Sequence, residues 1–116
     1  MRRGLHLIPT ALLWLACTGA AQTLEGTVAV DPKTAMANLQ SALRDLPAGA
    51  GKELTAIACT RCHNLNGLAA YKGYWNRAMW QAMVEGMVKH GAVLDASQVQ
   101  LVTDYLDNFY GRTDVQ

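Results

Sequence analysis

The sequence predicts an all-α domain: three or more short helices packed around one covalently attached group, with an N-terminal leader ahead of them. Three observations predict it. Apolar residues recur at spacings of three and four through Met79 to Val88 and again through Val99 to Tyr110, the period of helices with one buried face. The run Cys59-Thr60-Arg61-Cys62-His63 sets two thiols and an imidazole within five positions. The chain is short, 116 residues, and holds only three cysteines, so no spare pair is left for a structural disulfide.

Residues 1–21 read as a signal peptide. Arg2 and Arg3 form a positive start, Leu5 to Ala16 is largely apolar, and Thr18-Gly19-Ala20-Ala21 supplies small residues for cleavage before Gln22. His6, Pro9 and Thr10 interrupt the apolar run, which is too short for a span of about 20 residues. Export is therefore expected. Membrane association is expected only if the signal is retained or if Cys17 is lipidated, since Leu15-Ala16-Cys17 is a partial lipobox with Trp14 where leucine is usual.

Cleavage leaves Cys59 and Cys62 as the only thiols of a mature chain of about 95 residues, near the lower end of what one core stabilises unaided. Without Arg2 and Arg3, ten Lys and Arg become eight, against nine Asp and Glu. That balance excludes nucleic acid as an expected partner.

Residues 22–50 form the leader. Asp31-Pro32 is a helix start, Asp as N-cap and Pro at the first helical position. Met36, Leu39, Leu43 and Leu46 then fall on one face of a short amphipathic helix over residues 32–46, which either covers one side of the domain or hangs as a mobile arm. Leu46-Pro47-Ala48-Gly49-Ala50-Gly51 breaks it and marks the boundary of a domain over residues 51–111, followed by a tail at 112–116.

Lys52 to Cys62 has helix-compatible composition, and Cys59 and Cys62, three apart, share a helical face. Cys-x-x-Cys-His is the attachment signature of a c-type haem, in which the thiols add to the porphyrin vinyl groups and the histidine takes one axial position on iron. Two other chemistries use such a pair. A thioredoxin-type dithiol follows a β-strand, whereas no strand alternation precedes Cys59. A zinc site needs four ligands, and the mature chain offers Cys59, Cys62, His63 and the distant His90 as the usual soft ones.

Asn64 to Trp75 reads as a loop. Tyr71, Tyr74 and Trp75 cluster at its end, and Tyr74, Trp75 and the later Trp80 are the expected walls of a haem pocket; Lys72 and Arg77 are cations either paired with the propionates or solvated. Asn76 to Lys89 is the most regular helix, stopped at Gly91. It carries Met79, Met83 and Met87, each able to pack as a core thioether or to serve as the sixth ligand, and periodicity does not choose among them. The last helix runs from Leu94 to about Tyr110, with Asp95 and Gln98 as a capping box and Gly111 as its end.

From Gly51 to Gly111 the chain resembles a small class I cytochrome c domain: a helix into Cys-x-x-Cys-His, a loop, a methionine-bearing helix and a closing helix. Trp80 to Met87, then Lys89, Gly91-Ala92, and Asp104-Tyr105-Leu106 ending in Phe109-Tyr110, are similar to the haem c subunit of bacterial sulfite dehydrogenases and related periplasmic monohaem cytochromes. In that group a tryptophan is followed seven residues later by the axial methionine, so the resemblance implies one haem c with Cys59 and Cys62 as thioethers and His63 and Met87 as the iron (metal-binding) ligands.

The resemblance further implies a periplasmic electron-transfer protein, not itself an enzyme, working between a dehydrogenase donor, such as a molybdenum enzyme, and a cytochrome or oxidase acceptor. The alternative expectation is a ligand-binding, sensing or peroxidase haem protein with an open distal site; a third is a bis-histidine haem with His90 as distal ligand. Two residues depart from the pattern. No proline follows His63 to accept its N–H, so either another carbonyl in the 64–73 loop takes that role or the ring is oriented differently. Val93 stands where the relatives have proline after Gly-Ala.

Overall fold

Asp31 and Pro32 begin the first helix as their chemistry dictates. The Asp31 carboxylate accepts from the backbone N–H groups of Lys33 and Thr34, both at 3.1 Å, and Pro32 sits where no N–H is needed. A computed structural model describes residues 29–113. The expected signal at 1–21 with Cys17, the leader up to residue 28, and residues 114–116 of the tail lie outside the described residues. The elements are α1 (Pro32–Asp45), α2 (Lys52–Cys59), a 3₁₀ turn (Leu68–Tyr71), α3 (Arg77–Lys89) and α4 (Ala96–Tyr110). Among the described residues there is no strand, and no helix is long and apolar enough to cross a membrane.

The centre of the fold is α4, which packs along α3 and also meets α2 and the 3₁₀ turn, while α1 packs on α2. Trp80, Val84, Val102, Tyr105 and Leu106 form the middle of one core, closed by Ala56 from α2 and by Ala42 and Leu46 from the α1 end. So α1 is docked rather than a detached arm. Its buried face is Leu39, Ala42 and Leu46; Met36 and Leu43, expected on that face, are 55% and 38% exposed. The neighbouring position 42, with its small alanine, lets α1 come close and turns Leu43 outward.

Leu46 leaves the helix in an extended conformation, as a residue before proline favours. The segment that follows crosses α4 at close range. Gly51 has φ 95°, and a Cβ there would stand 3.0 Å from both the Leu101 carbonyl oxygen and the Tyr105 Cβ. Position 51 thus needs glycine for conformation and for space.

The caps of α3 and α4 are made by side chains beside them. Asn76 accepts from the Met79 N–H at 3.0 Å, and Asp95 and Gln98 bond each other's backbone N–H at 2.8 and 2.9 Å. Arg77 joins the two helices: its Nε and Nη2 donate to Asp104 Oδ1 at 2.9 and 2.6 Å, and Nη2 also reaches Gln100 Oε1 at 2.8 Å. The Arg77 guanidinium, read from the sequence as either a propionate partner or a solvated cation, is engaged on the α3–α4 surface.

Candidate functional site

α2 delivers Cys59 as its last residue, and the chain then turns through Thr60, whose hydroxyl donates back to the Ala56 carbonyl at 2.7 Å. Cys62 and His63 follow on that turn. The turn is held from the leader side by Val30, whose N–H donates to the Arg61 carbonyl at 3.1 Å. Cys59 and Cys62 are both free thiols, half-buried, with no disulfide between them. Burial, and secondarily the neighbouring Cys62, pushes the Cys59 thiol up to about 11. A dithiol redox centre needs the opposite, a lowered thiol at a strand-to-helix junction. Here the preceding element is α2, and the thiol is held protonated.

His63 is exposed, and its Nδ1 lies 2.7 Å from the Asn64 carbonyl oxygen. A carbonyl only accepts, so Nδ1 carries the proton and, in the neutral ring, Nε2 holds the lone pair. This acceptor is a backbone atom of the 64–73 loop, so residue type carries no signal for it.

Two adjoining depressions share Cys59, His63 and Met87. One, of about 280 Å³, is walled by Thr55, Leu68, Tyr71, Trp75, Trp80, Met83 and Leu106. The other, of about 340 Å³, is bounded by Ala58, Cys62, His90 and Ala92. Met87 is 37% exposed and lines both; Met83 lines the first alone; Met79, 45% exposed, lines neither. The helix explains the order, because Met87 lies seven residues, two turns, beyond the fully buried Trp80 and returns to nearly the same face.

Trp75 and Trp80 both line the first depression and meet edge to face with ring centroids 4.8 Å apart. Of the two tyrosines clustered with Trp75, Tyr71 lines the first depression, 4.8 Å from Trp75, whereas Tyr74 is 70% exposed and lines neither. The 3₁₀ turn parts them, since Tyr71 is its last residue and Tyr74 lies beyond it.

The lining suits a large flat apolar group with a polar edge. Trp80 Nε1 and Thr55 Oγ1 are buried without a hydrogen-bond partner, and both residues line the first depression, so acceptors are wanted there. The residues gathered here fit a haem: two free thiols, one imidazole lone pair, a thioether and an aromatic wall. Cys59, Cys62, His63 and His90 all border the second depression, but among the described residues no three His, Cys, Asp or Glu side chains come together as a metal-ion cluster. No protein-family model, curated protein or solved structure matches the chain.

Proposed function

We propose that the protein is a monohaem c-type cytochrome that carries single electrons. The observation that carries this reading is the joint position of Cys59, Cys62, His63 and Met87 around one apolar depression, with the His63 lone pair fixed by Asn64. Cys59 and Cys62 would hold the group by thioether bonds, and His63 and Met87 would be its iron ligands. When bound, haem supplies the one-electron ferric/ferrous couple. Asn64 keeps the imidazole in the tautomer that offers Nε2 and strengthens it as a ligand. Trp75, Trp80, Leu68 and Leu106 exclude water from one side, which with the thioether ligand favours a high reduction potential. The donor is a periplasmic dehydrogenase, such as a molybdenum enzyme, and the acceptor a cytochrome or oxidase; the resemblance of the 51–111 stretch supports those classes.

The test is to export the full chain in a host with periplasmic haem ligation and record the spectrum of the product. One covalent haem is expected, lost as covalent colour on Cys59→Ser with Cys62→Ser. A far-red sulfur-to-iron band is expected in the ferric protein, abolished by Met87→Ala and kept by Met79→Ala and Met83→Ala. Rapid carbon monoxide binding by the unmutated ferrous protein contradicts the carrier reading and supports a ligand-binding haem with an open distal site.

A further inference from the structure

His90 is built into the same depression as the haem ligands. Its Nδ1 lies 2.7 Å from the Gly86 carbonyl oxygen, which only accepts, so this ring too is locked with its proton on Nδ1 and its lone pair on Nε2. The ring lines the depression that Cys59, Cys62, His63 and Met87 share. As the C-cap of α3 it stands three residues past Met87 and seven past Met83, so the order Met83, Met87, His90 runs from the first depression into the second.

The end of α3 fixes this spacing and gives it a joint. The Met87 carbonyl accepts from the N–H groups of His90 and Ala92, at 3.1 and 3.0 Å, and Gly91 follows at φ 110°.

We propose that His90 is a reserve axial ligand, which takes the distal position on iron through Nε2 when the Met87 thioether leaves it. The inference rests on the haem reading above. Ligand exchange here breaks one sulfur-to-iron bond and makes one nitrogen-to-iron bond, with no change of electron count. Its consequence is that the iron stays closed to small exogenous ligands after Met87 is lost, and that the price of the exchange is a lower reduction potential.

The experiment uses the exported holoprotein and electron paramagnetic resonance of the ferric state. Met87→Ala, and Met87→Leu as the variant that keeps the apolar volume, are expected to stay low-spin with the signature of two imidazoles. Adding His90→Ala to either is expected to abolish that signal, give high-spin iron and open the ferrous protein to carbon monoxide. High-spin iron in both single variants overturns the proposal while leaving the far-red band of the unmutated protein, and so the carrier reading, intact. Low-spin iron that persists in the double variants also overturns it, because another side chain, such as Met83, is then the substitute. Absence of covalent haem in the unmutated protein removes both readings together.

Discussion

The Tyr105 hydroxyl donates to the Pro47 carbonyl at 2.6 Å, joining the middle of α4 to the breaker segment 58 residues earlier. Removing the hydroxyl leaves that carbonyl short of a partner in a half-buried place. Tyr105→Phe is expected to lower stability by about 1–2 kcal/mol, seen as a lower urea midpoint with an unchanged m-value. The same tyrosine sets an alkaline limit. Its pKa is pushed up to about 12 by burial first, then by Tyr110 and Glu53. The folded state therefore holds the proton more tightly than the unfolded chain does, so this contribution is full below the ordinary tyrosine value near 10 and is lost as pH rises towards 12. Tyr105→Phe should flatten stability against pH in that window; an unchanged slope would count against the assignment.

Two glycines with opposite surroundings should respond with opposite signs. Gly51→Ala combines a left-handed φ of 95° with a Cβ 3.0 Å from the Leu101 oxygen. The expected loss is about 1–3 kcal/mol. Gly86, inside α3 and facing open space, should gain about 0.5–1 kcal/mol as alanine. Thermal unfolding of the two single variants separates them.

Cys59 should be a slow thiol in the apoprotein. In a chain lacking residues 1–21 and carrying Cys62→Ser, the alkylation rate against pH should have its midpoint above the ordinary 9.0, because burial, the larger cause, persists when Cys62 is gone. A midpoint at or below 9.0 would show an accessible thiolate and reopen the dithiol chemistry.

The Arg77–Asp104 pair should matter less than its short contacts imply. Both side chains are well exposed, at 44% and 60%. A double-mutant cycle is expected to give at most about 1 kcal/mol, diminishing with salt. Covalent haem content should be the same in Arg77→Ala as in the parent.

Local chemistry was the legible part of the fold. Asp31-Pro32, the Asp95/Gln98 box and the glycine after α3 each act within a few residues and mark the starts of α1 and α4 and the stop of α3, whereas α2 ends at Cys59, short of the Cys62 that its composition allowed. What was not legible depends on neighbours distant in sequence. Met36 and Leu43 keep the period of a buried face, yet the approach of α1 on α2 selects Ala42 instead. Arg77 beside an aromatic loop offers no sign that Asp104, 27 residues on, takes its guanidinium. In the site, the aromatic walls and the row of methionines were readable from residue type and spacing, whereas singling out Met87 needed the family resemblance, and the parting of Tyr71 from Tyr74 depended on a 3₁₀ turn inside a stretch that reads as a loop.

The bond from Val30 to the Arg61 carbonyl ties the start of the described chain to the turn that carries the thiols. It joins backbone atoms, so it holds that turn whatever side chains stand at 30 and 61, provided residue 30 keeps its N–H.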